Sequence, residues 1–250
     1  MPKHATFRFY EELNDFLPRG KRKKPFRYEF EGGPSVKDAV EAIGVPHSEI
    51  DLILVNGRSV TFSEHIGDGD MISVYPVFES LDIGEVTRLR EAPLRTPKFI
   101  VDANLGKLAK YLRLLGFDTL YDSGFDDVEV VDISCSQHRV ILTRDKSLLK
   151  HGAVTHGYWV RSQNPKRQAA EIIQRFDLRS KVHPFSRCTV CNGVVEPVPK
   201  DTVAEVLEPK TKRYFEKFFR CESCGNVYWQ GSHFDNMTAF VDSLLAGEHK

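Results

Sequence analysis

The chain opens on alternation. Residues 6–10 read as a strand, and Phe26, Tyr28 and Phe30 recur at every second position of 26–31, the period of another strand. Ser35 stands where a helix cap belongs, and Val36, Ala39, Val40 and Ile43 share one face behind it, so the pattern predicts a helix through Ile43. A short apolar strand over 52–55 runs into Asn56-Gly57, a pair suited to a tight hairpin. A Gly67-Asp68-Gly69-Asp70 turn then leads to a strand over 71–77. Two strands, a helix and two more strands predict a small α+β domain, residues 1–80.

Periodicity changes after a charged linker, 81–97, that holds Pro93 and Pro97. From 98 to 180 strands and helices alternate. Strands are expected at 98–101, 119–121, 140–142 and 158–160, and helices at 105–115, 128–137 and 166–176. Leu105, Leu108, Leu112 and Leu115 form one stripe of the first helix, and Gly116 ends it. Repeated strand–helix units imply a parallel sheet covered on both faces. The last segment, 181–250, carries paired cysteines and a short amphipathic tail over 237–245.

Composition narrows the class. Lys plus Arg number 35 and Asp plus Glu number 35, so net charge is zero and any nucleic-acid footprint must be local. No apolar run approaches the ~20 residues needed to span a bilayer, and the first residues have no signal-peptide core, which predicts a cytoplasmic protein with no membrane role. Four of the five cysteines fall into Cys188-x-x-Cys191 and Cys221-x-x-Cys224. In a reducing compartment that spacing predicts a closed structural Zn²⁺ site, a zinc ribbon, whose metal supplies folding energy to a thin core. Cys135, on no metal-like spacing, is expected to be buried as an apolar residue.

In a parallel α/β sheet, ligands bind beyond the carboxyl ends of strands. Asp102 ends the first such strand, Asp122 the second, and Asp145 lies just past the third, while Asp126 and Asp127 open the helix between them. Gathered carboxylates repel unless cations compensate, and hard oxygen ligands favour Mg²⁺ or Mn²⁺, ions that activate water and neutralise a phosphate. Each aspartate also suits a helix cap or a turn.

Positive charge is local. Lys107, Lys110 and Arg113 recur every three positions opposite the leucine stripe, and Arg144 and Arg161 follow strand ends. These five, with Trp229 and His233 beyond the last cysteine pair, are the candidate RNA contacts. The spacer between cysteine pairs interleaves Lys210, Lys212, Arg213, Lys217 and Arg220 with Tyr214, Phe215, Phe218 and Phe219, a pattern for stacking bases or for a ribbon core. Arg19 to Lys24 is a basic loop that fits either RNA or plain solvation.

Two resemblances follow. "LVNGRSV" and "IGDGDMISVYPV" make the first segment similar to the sulfur-carrier branch of the ubiquitin-like β-grasp fold. Such carriers end in a Gly-Gly tail; here the strand runs on into Phe78-Glu79-Ser80-Leu81, which argues for a docking module, to a protein or a ribosome, over carrier chemistry. "FIVDANLGKLAKYLRLLGFD", a following Asp-Asp pair and "VILTRDKSLL" resemble the PIN-like ribonuclease domain named for the C-terminal part of the Mut-seven exonuclease, from about Lys98 to Met237, ribbon included. That resemblance implies a metal-dependent ribonuclease whose acidic residues are Asp102, Asp127 (or Asp126) and Asp145. Its products would carry a 5′-phosphate and a 3′-hydroxyl. PIN domains often place another acid after the following strand; here Arg161-Ser162-Gln163-Asn164 stands there, so a fourth carboxylate is missing or is Asp122. The alternative is a non-catalytic RNA- or ribosome-binding adaptor that uses the ribbon and the basic patches. Whether the RNA is tRNA, rRNA or mRNA is not written in these motifs.

Overall fold

A computed structural model describes residues 2–76, 87–89 and 97–247. Its first sheet contains β1 (Lys3–Phe9), β2 (Phe26–Phe30), β3 (Ile50–Val55), β4 (Arg58–Ser59) and β5 (Met71–Pro76), in the order β2-β1-β5-β3-β4. β1 runs parallel to β5 and the other pairs are antiparallel. Alternation explains β1: Ala5, Phe7 and Phe9 point inward and are buried against Val36, Ala39 and Val40 of α1 (Val36–Ile43). Ser35 caps α1 as expected, its Oγ accepting from the Asp38 N–H at 3.1 Å while Asp38 Oδ2 accepts from the Ser35 N–H at 3.3 Å. Asn56 and Gly57 both take positive φ, 51° and 80°, which closes the β3–β4 hairpin. This is the β-grasp arrangement. The expected strand over 71–77 ends at Pro76, and Val77 and most of the 81–97 linker lie outside the described residues.

The next elements are β6 (Lys98–Val101), α2 (Gly106–Leu114), β7 (Thr119–Leu120), α3 (Asp127–Gln137), β8 (Arg139–Thr143), β9 (Gly157–Trp159) and α4 (Pro165–Arg175). β6 is parallel to β7, and β8 to β9. The helix expected from Leu105 starts one residue later, because Ala103–Leu105 forms a 3-10 turn in which the Asp102 carboxylate accepts from the Asn104 N–H at 3.4 Å. Asn164 caps α4, accepting from the N–H groups of Lys166 and Arg167, with Pro165 at the first helical position. The chain ends with β10 (Val195–Val198), α5 (Pro209–Tyr214), β11 (Phe218–Cys221), β12 (Val227–Trp229) and α6 (Ser232–Ala246). β10, β11 and β12 form an antiparallel three-stranded sheet. α6 takes in the amphipathic tail over 237–245 and begins five residues before it.

Two compact units result: Met1–Thr96 with Val131–Trp159, and Pro97–Val130 with Val160–Lys250. In the first, the β-grasp sheet carries the β8–β9 pair. The Ser48 hydroxyl donates to the Leu149 carbonyl at 2.9 Å, Lys150 Nζ donates to the Glu41 carbonyl at 2.8 Å, and the Trp159 N–H donates to the Glu49 carboxylate at 2.5 Å. The His47 ring lies between Glu41 Oε1 at 2.5 Å and the Val154 carbonyl at 2.9 Å. The bonds from Ser48 to Leu149 and from His47 to Val154 are buried and so shielded from water. A Cβ at Gly157 would lie 2.4 Å from Leu149 Cδ2, so a larger residue there would have to displace that buried side chain. In the second unit, α2 packs on α4, the Tyr111 ring meets Phe240 of α6 at 4.7 Å, and Phe185 stacks on Phe234 at 4.5 Å.

Candidate metal centre and acidic strand ends

The two cysteine pairs adopt the same local fold. In the first, the Asn192 N–H donates to the Cys188 carbonyl at 2.9 Å and the Cys188 N–H to the Gly193 carbonyl at 2.8 Å. In the second, the Gly225 N–H donates to the Cys221 carbonyl at 3.0 Å and the Cys221 N–H to the Asn226 carbonyl at 2.9 Å. The residue after each second cysteine, Asn192 or Gly225, has positive φ, 72° or 74°, which turns both thiols of a pair the same way. All four sulfurs lie within 4.8 Å of one another, with Cys188–Cys224 at 3.7 Å and Cys191–Cys221 at 3.4 Å. A tetrahedron with Zn–S near 2.3 Å needs sulfurs about 3.8 Å apart. The donor set and its spacing therefore fit zinc, and the cluster could hold one ion. Gly193 makes room for it: a Cβ there would stand 2.8 Å from Cys221 Sγ.

Neighbours favour the thiolate at Cys188, while the Cys191 and Cys224 thiols are pushed up. Burial disfavours the Cys188 thiolate, yet the Tyr228 hydroxyl, 3.0 Å from Sγ, and the N–H groups of Cys191 and Val190 outweigh it and bring the thiol down to about 6. Arg113 holds the first pair in place. It was expected on the exposed basic row of α2, but it is buried. Its Nε donates to the Thr119 carbonyl at 2.8 Å, and Nη1 to the carbonyls of Thr189 at 3.3 Å and Val190 at 2.8 Å. Among the described residues its guanidinium hydrogen bonds all go to backbone carbonyls, so Arg113 does not share the exposed row of Lys107 and Lys110. Asn192 adds a second tie, accepting from the Thr119 N–H at 2.9 Å and donating to Asp118 at 2.8 Å. The sequence did not mark Tyr228, Asn192 or Arg113 for this role, because each acts across a fold that spacing does not show.

The acidic residues fall where strands end. Asp102 directly follows β6 and is half-buried. Asp122, two residues beyond the parallel neighbour β7, is exposed and accepts from the Gly124 N–H at 2.9 Å. Between these ends, the Tyr121 hydroxyl donates to the Ala103 carbonyl at 3.1 Å, and its ring fills the space a Cβ on Gly106 would need. Asp126 caps α3: it accepts from the Glu129 N–H at 2.9 Å while Glu129 accepts from the Asp126 N–H at 3.0 Å. Asp127 is the first residue of α3 and is exposed. Asp145, two residues past β8, is exposed, and the hydroxyl and N–H of Ser147 hold its carboxyl below the usual range. Among the described residues, the cysteines are the group of three or more potential ligands with converging atoms.

Lys107 and Lys110 are exposed on α2. Arg144 is half-buried, and its carbonyl accepts from Trp159 Nε1 at 3.2 Å. The N–H of the half-buried Arg161 donates to Glu171 at 2.8 Å, and that of Ser162 donates to the same carboxylate at 3.0 Å. Sequence spacing gave no sign of Glu171, which reaches this loop from α4. Trp229 is 39% exposed on β12, and the side chain of His233 lies outside the described residues. In the spacer, Phe218 is ribbon core and Phe215 and Phe219 are half-buried, while Tyr214 and all five cations are exposed. Cys135 is exposed rather than buried: it lies near the C-terminal end of α3 among the exposed Ser136 and Gln137, and its thiol donates to the Ala153 carbonyl at 3.1 Å. No helix among the described residues is long and apolar enough to cross a membrane.

A β-grasp sheet, parallel strand pairs with helices and a four-cysteine ribbon define a fused, mixed α/β protein. Residues 97–241 match the family described as the Mut7-C RNAse domain, and residues 2–82 match the one described as Mut7-C ubiquitin. The chain belongs to the Mut7-C RNase family. Two solved structures are similar to part of it. The small archaeal modifier protein 1 of H. volcanii is 20% identical, with 30% of this chain and 99% of that one covered and a TM-score of 0.25. A second structure, SAMP1 from Haloferax volcanii, is 19% identical, with 31% and 99% covered and a TM-score of 0.25. No curated protein matches the chain.

Proposed function

We propose that the chain hydrolyses RNA phosphodiester bonds with the help of Mg²⁺ or Mn²⁺. Asp102, Asp127 and Asp145 would supply the carboxylates, and Asp126 and Asp122 are the nearby reserves. The observation that carries this is the placement of Asp102 and Asp145 just past the carboxyl ends of β6 and β8 in a chain of the Mut7-C RNase family. The donor chemistry fits: carboxylate oxygens on exposed or half-buried side chains suit hard divalent ions.

Each residue has a definite task. Ser147 orients the Asp145 carboxylate through its hydroxyl and N–H. The Asp102 carboxylate is steered by the 3-10 turn it caps. Lys107 and Lys110 gather phosphates from α2, while Arg144 and Arg161 orient the scissile phosphate. Trp229 stacks a base beside the ribbon, and His233 contacts the backbone there. A divalent ion supplies positive charge against the phosphate and acidifies water. The cysteine ribbon, loaded with zinc, is structural. We assign residues 1–80 to docking, 98–180 to chemistry and 181–250 to the ribbon, in a cytoplasmic protein.

Mn²⁺ titration followed by electron paramagnetic resonance, with end-group analysis of RNA products, tests this reading. Wild type should bind Mn²⁺ and release 5′-phosphate ends, and Asp102→Asn should lose Mn²⁺ while keeping zinc. Equal Mn²⁺ binding by both proteins would remove Asp102 from the site. RNA binding with no products in either would leave an adaptor.

A further inference from the structure

The basic loop of the β-grasp domain is built, and it is anchored beside Asp145. The buried Asn14 side chain donates to the carbonyls of Phe9 and Glu11, both at 2.9 Å, and accepts from the Lys23 N–H at 2.6 Å. Arg22 folds back, its Nε donating to the Leu17 carbonyl at 2.8 Å. Lys21 lies over the Phe26 ring at 4.8 Å. With its backbone pinned in this way, the loop holds Arg19, Lys21, Arg22, Lys23 and Lys24 exposed, and among the described residues none of these five is in an ion pair.

Phe16, at the root of this loop, packs on Trp159 with ring centroids 5.2 Å apart. Lys146, the residue after Asp145, lies over both rings, 3.9 Å from the centroid of Trp159 and 5.1 Å from that of Phe16. Trp159 Nε1 donates to the carbonyl of Arg144, the residue before Asp145. Arg19 comes three residues after Phe16, so their Cα atoms lie within about 11 Å. All of these residues belong to one compact unit. The acids of the preceding turn, Glu11, Glu12 and Asp15, come before Phe16, and the cations come after it.

We propose that this loop is a binding surface for single-stranded RNA, taking backbone phosphates of the strand that reaches Asp145. The Asp145 end of this path rests on the ribonuclease reading above; the loop's affinity for RNA does not. The chemistry is that of phosphate binding without base readout: exposed cations on a loop held by backbone ties and rooted on the buried Phe16. An acidic protein surface is the competing partner.

The test uses the full-length, zinc-loaded protein and a fluorescein-labelled oligouridylate, with binding followed by anisotropy across a salt series. The variant combines Arg19→Ser, Lys21→Ser and Lys24→Ser, leaving Arg22 and Lys23, whose atoms pin the loop. Removing three phosphate contacts should lower the slope of log affinity against log salt by about 2 and weaken binding about tenfold near 0.1 M salt. KM for cleavage should rise by a similar factor. The charge-keeping variant Arg19→Lys with Lys21→Arg and Lys24→Arg should bind like wild type; if it also loses binding, loop shape and not charge is at work, and the proposal falls. Unchanged affinity and slope in the serine variant would overturn it and leave an acidic protein as the partner. Loop-dependent binding by a wild type that cleaves nothing would uphold the loop and sink the nuclease reading, so the two fail separately.

Discussion

The guanidinium of Arg113 donates to the carbonyl of Val190 at 2.8 Å, joining α2 of the α/β region to the first cysteine pair. The same side chain reaches Thr119 and Thr189. Burial pushes its pKa down, yet the five-donor fork is well used on fixed carbonyls. Arg113→Met should leave these acceptors without donors, at a cost of roughly 2–3 kcal/mol. Urea unfolding of the zinc-loaded protein checks this, and Arg113→Lys should fall between the two. Stability equal to wild type in Arg113→Met would show the contact to be incidental.

Metal removal should act on the ribbon before the rest. Structural zinc sites contribute on the order of 10 kcal/mol to folding. Cys221→Ser, or a strong chelator, should therefore expose the amides of β10, β11 and β12 to hydrogen exchange. The β-grasp core around Phe7 and Val40 should keep its protection. Full protection of the ribbon in the metal-free protein would mean that its core alone holds it.

The carboxyl of Asp145 should titrate below its ordinary 3.8 in the metal-free protein, because the hydroxyl and N–H of Ser147 favour the charged form. Ser147→Ala removes the hydroxyl, so the pKa should rise toward 3.8. In stability terms, a depressed carboxylate helps the fold above 3.8 and loses that help as pH falls through its lower folded value. Carbon-detected nuclear magnetic resonance of the side chain reads the shift directly. Identical titration in both proteins would show that Ser147 does not act on Asp145.

Local chemistry made much of this legible in the sequence. Ser35 announced α1 through its cap, Asn56-Gly57 announced the β3–β4 turn, and the cysteine spacing announced the thiol cluster. Misreadings arose where long-range packing decides. Arg113 sits at a helical spacing shared with Lys107 and Lys110, yet tertiary carbonyls draw it inward. Cys135 looked like an apolar core residue, yet α3 presents it to solvent. The ties from Ser48 to Leu149 and from Glu49 to Trp159 join residues more than a hundred positions apart, and no periodicity encodes such a pairing. Asp102 and Asp145 were visible because strand ends are, while their hydrogen-bond partners were not.

Cleavage of end-labelled single-stranded RNA by the purified full-length protein tests the central claim most directly. It would be run in Mn²⁺, in Mg²⁺ and in EDTA, with Asp102→Asn and Asp145→Asn beside wild type, all with zinc content verified. The account predicts cleavage that needs the divalent ion and is lost at least a hundredfold in both variants, as about 3 kcal/mol of transition-state stabilisation is removed. Cleavage that persists equally in the variants, or a wild type inert under every condition, would contradict it.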